Sequence, residues 1–235
     1  MLWRKVVAGI PPGAARAQRG KGSHMATPMT AQHGARGQRR RAQIVRAALE
    51  VITERGFRGM SLGAVSEKVG LTQQGLLHYF PTREDLLIAV LQWRDEVDNG
   101  GEADGSTPDA IPGPLWTVER LPLLVAVNTQ RPELVRLFSV LLGESVTRDH
   151  PAGEYFRSRY RLSRQTMAQH LRDVYGQRLP SGLDPDAAAT LIVAVFDGLQ
   201  YQWLHDDQAL DMEDLVRQFL RLIDPGWDET ASDYV

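Results

Sequence analysis

Residues 61–83 read SLGAVSEKVGLTQQGLLHYFPTR, and the spacing of their apolar and turn-forming residues decides the fold. Leu62, Val65 and Val69 form one apolar stripe on a short helix that Ser61 can N-cap. Gly70 closes that helix, because the turn out of it needs a residue at ease with positive φ. Thr72 caps a following helix anchored by Leu76, Leu77 and Phe80, and Pro81 ends it. Gln73, Gln74, His78 and Tyr79 remain on its other face. Two short helices across a glycine turn, the second with a polar face, make a helix-turn-helix, the device that places side chains in a DNA groove.

The flanks extend this unit. Upstream, Ile44, Ala47, Ala48, Val51 and Ile52 follow i, i+3, i+4, i+7, i+8, which predicts an amphipathic helix from about Gln38 with Gly56 as its stop. Downstream, Thr82 caps a further helix whose early Glu84 and Asp85 suit its dipole and whose stripe is Leu86, Leu87, Val90 and Leu91. Three short helices around one small core result, with a connecting helix leading away. Gln73 and Gln74 fall in the first turn of the reading helix; Gln bonds adenine in a bidentate manner, and His78 and Tyr79 can donate to phosphate. Arg83 opens the next helix, where a helix start approaches a phosphate backbone.

Charge agrees with this polarity. The chain of 235 residues has a formal net charge of -2, yet 14 of its 27 Lys and Arg fall in residues 1–83 against only Glu50, Glu54 and Glu67. One end suits a polyanion and the other repels it. Arg36, Arg39, Arg40 and Arg41 have two readings, a basic arm entering the minor groove or a solvated run at a helix start. Residues 1–35 hold no acid, are rich in Gly, Ala and Pro, and show no sustained period, so a flexible basic segment is expected. Gly22-Ser23-His24-Met25 within it looks like a remnant of cloning, and its apolar run is too short for a signal peptide.

Residues 99–114, NGGEADGSTPDAIPGP, read as an acidic linker between two domains, 36–98 and 115–225, with 226–235 as a tail. Beyond the linker, patterned segments at about 115–129, 132–147, 153–176, 185–206 and 211–223 all read as helices, punctuated by Pro114, Pro132, Pro151, Pro180 and Pro185. The fold class is all-α. With no cysteine, disulfides and thiolate metal sites are excluded. The six histidines sit in no hydrolytic or metal motif, His205-Asp206-Asp207 reads as a helix end or solvated cluster, and no phosphate-binding glycine motif occurs. The expectation is no enzyme, no catalytic residue, no metal and no cofactor. No apolar run reaches the roughly 20 residues of a membrane helix, so a soluble, cytoplasmic protein with no membrane partner is expected.

The run AALEVITERGFRGMSLGAVSEKVGLTQQGLLHYFPTREDLLIAVL resembles the N-terminal domain of the TetR (tetracycline repressor-like) family of transcriptional regulators, and the later FDGLQ segment fits its helical remainder. The resemblance implies that Ser61, Tyr79 and Arg83 hold phosphates and that Thr72, Gln73 and Gln74 face bases, with His78 in either role; Arg41 adds a basic contact. Leu77 stands where many members have a phosphate-binding tyrosine, and Arg83 where lysine is common; arginine preserves the charge and leucine does not. The family also implies a small-molecule effector in a C-terminal pocket, for which Trp116, Phe138, Tyr160, Met167, Phe196, Gln200 and Trp203 are candidates, though aromatics at helical spacing are ordinarily core. It implies a homodimer through the last two helices, with Leu191, Val195, Gly198, Leu199, Leu215, Phe219 and Leu222 as its face. One short reading helix gives little specificity, which independently favours a dimer on a palindromic double-stranded DNA operator. The sequence-level expectation is a ligand-responsive repressor; the alternative is a helical small-molecule-binding protein or enzyme whose N-terminal motif is only structural.

Overall fold

A computed structural model describes residues 28–99, 115–207 and 209–228. The chain divides into two compact units, 1–38 and 39–235. Of the first, only the opening of α1 is described. All described regular structure is helical: α1 (Pro28–Gly59), α2 (Leu62–Val69), α3 (Gln73–Leu77), α4 (Arg83–Asp98), α5 (Leu121–Thr129), α6 (Pro132–Ser145), α7 (Gly153–Tyr175), α8 (Pro185–His205) and α9 (Met212–Ile223).

Local chemistry sets most boundaries. Ser61 Oγ accepts the Ala64 N–H at 3.1 Å and Thr72 Oγ1 accepts that of Gly75 at 3.1 Å, each satisfying a donor that a helix start leaves open. Thr82 and Asp85 form a reciprocal capping box at the start of α4. Gly70 turns out of α2 with φ 65°, ψ 40°. Gly56 breaks the helical path near the end of α1 at φ 71°, ψ 159°, a conformation open essentially to glycine alone.

The first core joins α1 to the reading unit: Ile44, Ala48, Val51 and Ile52 pack with Val65, Leu76, Phe80, Leu86, Leu87 and Val90. It continues into Leu134, Leu137, Phe138 and Leu141 of α6 and Phe156 of α7, so α4 shares one core with helices that precede and follow it in the chain. A second core joins Leu121 and Val125 of α5, Met167 and Leu171 of α7, Ile192 and Phe196 of α8, and Val216 and Leu220 of α9.

Four differences from the sequence expectations have physical reasons. α1 starts at Pro28 rather than near Gln38, with a proline in its first turn, where the missing N–H costs nothing; residues 1–27 lie outside the described residues. α5 starts at Leu121 rather than about 115, with Pro122 in its first turn, where the missing N–H costs nothing. Leu77 is half-buried, whereas Leu76 and Phe80 are fully buried, since a helix this short turns only one narrow face inward. Trp227 was expected in the tail, yet it is buried in the second core. A turn at Pro225-Gly226 folds it back, with the Trp227 N–H donating to the Asp224 carbonyl at 2.9 Å. The expected linker falls, from residue 100 to 114, outside the described residues; the residues that bracket it meet, the Leu115 N–H donating to the Asp98 carbonyl at 2.8 Å.

Candidate functional site

The reading unit owes its shape to arginines spent on backbone. Arg40 Nη2 donates to the Val69 carbonyl at the end of α2 at 2.9 Å, and Arg41 Nη1 donates to the Tyr79 carbonyl just past α3 at 2.8 Å. The Arg41 guanidinium also lies 4.0 Å from the centre of the Phe80 ring. Both arginines lie on α1, ahead of its break at Gly56, and their guanidiniums cap the ends of the helices that α1 packs on.

Arg83 behaves similarly. Its Nε donates to the Met60 carbonyl at 2.9 Å and its Nη2 to the Phe57 carbonyl at 2.5 Å, fastening the start of α4 to the last turn of α1. Its remaining nitrogen, Nη1, is 4.0 Å from Glu84. Sequence reasoning gave Arg83 only a phosphate role; the open carbonyls just past the Gly56 break were the signal for the second one.

The other reading residues are free to meet a ligand. Thr72, Gln73, Gln74 and His78 are exposed, as is Ser61 at the start of α2. Ser61 and Thr72 spend an acceptor lone pair on capping, which leaves each hydroxyl proton able to donate to a phosphate. Tyr79 is half-buried and packs on the first core, with His78 edge-on to it at 5.7 Å between ring centres. The surface therefore offers two amides, an imidazole and two hydroxyls around the α3 start, on a scaffold closed by arginine–carbonyl bonds.

The seven pocket candidates fall into two groups. Phe138 and Tyr160 belong to the first core, while Trp116, Met167, Phe196 and Trp203 belong to the second. Trp116 donates to the Ser163 carbonyl at 3.1 Å and meets Phe196 edge-on; Gln200 is buried. Around Phe138 lies an ionic cluster that sequence reasoning missed. Arg94, Asp95 and Asp98 of α4 are all buried, and Arg131, just ahead of α6, and Tyr155 and Arg159 of α7 reach them. Their i, i+1, i+4 spacing on a predicted helix was visible, but a charge run there reads as a solvated face. Tyr160 donates to Asp197 nearby. Burial pushes the Asp98 and Asp197 carboxyls up, against the neighbouring arginines. Burial also works against the Arg159 cation, but Asp95, Tyr155 and Asp197 hold its proton more tightly than usual.

None of the seven dimer candidates is fully buried, although Leu199 and Phe219 pack against the second core. Leu191 and Leu222 are exposed, at 44% and 75%, and Val195, Gly198, Leu199, Leu215 and Phe219 are half-buried. The residues that α8 and α9 bury within the chain are others, including Ile192, Phe196, Val216 and Leu220.

A capped helix-turn-helix carried on a helical effector module defines a DNA-binding transcriptional regulator. Residues 44–90 match the family described as "Bacterial regulatory proteins, tetR family", and residues 120–225 match "BetI-type transcriptional repressor, C-terminal". The chain belongs to the TetR family of transcriptional regulators. Among similar proteins, the HTH-type transcriptional regulator AcrR of Shigella flexneri is 23% identical over 194 residues, covering 79% of this chain and 88% of its own. The HTH-type transcriptional regulator RutR of Escherichia coli K12 is 43% identical over 49 residues, 21% of this chain and 23% of its own. A transcriptional regulator from Saccharomonospora viridis, solved in complex with choline, is 22% identical with a TM-score of 0.57, covering 78% of this chain and 94% of its own; that likeness shows the fold. No helix among the described residues is long and apolar enough to cross a membrane.

Proposed function

We propose that the protein is a dimeric repressor that a small-molecule effector releases from a palindromic operator. Residues 36–98 form the DNA-binding domain and residues 115–225 the regulatory and dimerisation domain. Ser61, Tyr79 and Arg83 approach phosphates, Thr72, Gln73 and Gln74 approach base edges, His78 serves either, and Arg41 supports the reading helix from behind. The observation that carries the reading is the exposed first turn of α3 on a scaffold whose own polar groups are already satisfied. The dimer reading is supported by the apolar face that α8 and α9 leave outside the core. A Cβ at Gly198 would meet nothing within 4 Å, so close approach there is open to a second copy.

Two experiments test this. Selection from a randomised duplex library should return a palindrome whose half-sites lie about one helical turn apart, roughly 34 Å, bound with an affinity that falls steeply as salt rises. Equal binding to all duplexes, or none, would sink the repressor reading and favour a helical binding protein. Leu222→Glu and Gly198→Trp should each shift the protein from dimer to monomer in sedimentation while its helicity stays unchanged; a dimer that survives both refutes this face.

A further inference from the structure

Arg94 is the least satisfied charge in the described part of the chain. Its guanidinium is 5% exposed, yet it makes a single long hydrogen bond, Nη2 to Asp95 Oδ1 at 3.4 Å. Its Nε and Nη1 have no hydrogen-bond partner. The two carboxylates beside it are better held by other cations. Asp95 receives Arg159 Nε on both oxygens at 3.1–3.2 Å and the Tyr155 hydroxyl at 2.7 Å. Asp98 receives Arg131 Nη1 at 3.2 Å, while Arg94 Nε stands 3.7 Å from it, too far to donate. A buried guanidinium with unmade bonds is costly to the fold, and its open N–H groups can donate to a carboxylate oxygen. Its surroundings are aromatic: the guanidinium is 4.8 Å from the centre of the Phe138 ring, and Phe138 meets Phe156 edge-on at 5.3 Å.

We propose that Arg94 anchors the carboxylate of an acidic effector with an apolar body, bound between α4, α6 and α7 beside Phe138. The inference rests on the effector-released repressor reading above and assigns that effector a charge. A monoanion fits better than a phosphate, because one guanidinium is under-satisfied and a second negative charge would go uncompensated beside Asp95 and Asp98. A cation is disfavoured by the guanidiniums of Arg94 and Arg159, which stand 4.8 Å and 4.7 Å from the centre of the Phe138 ring. The upward push of burial on Asp98 and Asp197 acts in the same direction, since it weakens the negative side of the cluster.

The test uses the full chain and four probes at matched ionic strength: benzoate, benzamide, benzyltrimethylammonium and inorganic phosphate. Thermal stability and retention of the selected operator are followed together. Benzoate should raise the melting temperature and release the operator at concentrations at least about tenfold below the other three. Arg94→Met should abolish the benzoate response and Arg94→Lys should weaken it about tenfold, because an ammonium keeps the charge but loses the fixed planar array of donors; Arg157→Ala, on exposed α7 surface, should leave it intact. If Arg94→Met does not fold, the wild-type ranking of the four probes decides alone. Equal response to benzamide, a stronger response to the ammonium, binding of phosphate in place of benzoate, or no response to benzoate at all overturns the assignment. Operator release by the neutral or cationic probe would overturn it while leaving effector-released repression standing. That broader reading falls separately, if no member of a wide metabolite screen changes operator affinity.

Discussion

Gln73 and Arg83 sit on the same reading unit and should fail in different ways. Gln73 is exposed in the first turn of α3 and supports nothing else, so Gln73→Ala should leave stability alone and relax preference at one operator position by about 1–3 kcal/mol. Competition with single-base operator variants measures this; unchanged discrimination at every position refutes a base role. Arg83 holds the Phe57 and Met60 carbonyls. Arg83→Ala should therefore lower unfolding stability by about 1–3 kcal/mol and weaken binding to all duplexes alike. A variant that loses affinity with an unchanged melting temperature would show that the phosphate contact, and not the clasp, is what Arg83 contributes.

At the scale of the element, Gly56 is the position where sequence identity is least negotiable. Its φ of 71° and ψ of 159° strain any side chain, and a Cβ there would lie 3.2 Å from Glu133 Oε2. Gly56→Ala should destabilise by about 1–3 kcal/mol, measured by urea unfolding; a loss below experimental error would mean that the break can be refolded as helix. Glycine stops of this kind were legible in the sequence, as were the caps Ser61, Thr72 and Thr82, because each acts within four residues of itself. Pro122 inside the first turn of α5 and the return of Trp227 were not, since the first demands weighing one proline among thirteen and the second depends on a partner core distant in sequence. The double duty of Arg40, Arg41 and Arg83 was hidden for the same reason. An arginine bonded to a far carbonyl and an arginine awaiting phosphate look identical in one dimension. The reading face itself was legible, because a helix-turn-helix keeps its polar residues and its anchors within one short window.

Across the whole molecule, buried charge makes stability depend on pH. The Asp197 carboxyl keeps its proton to higher pH in the folded chain because it is buried, with the Tyr160 hydrogen bond, Arg159 and Arg94 opposing. The folded state thus binds that proton more tightly than the unfolded state, so this contribution is complete below the ordinary aspartate value of about 4 and is lost as pH rises through the raised value. Asp197→Asn should flatten the part of the decline in melting temperature that sets in as pH rises above about 4; an unchanged slope refutes it. Charge and shape meet in α4. One end of this helix is fastened to α1 by Arg83, and the other carries Arg94, Asp95 and Asp98 into α6 and α7. Sixteen residues make a rod of about 24 Å. A tilt of about 5° around the buried end carries the fastened end through about 2 Å, more than a hydrogen bond to a base edge tolerates. Mechanical leverage of this kind means that the far end needs only a small angular displacement, and that the reading helix, having no joint of its own, must travel with it.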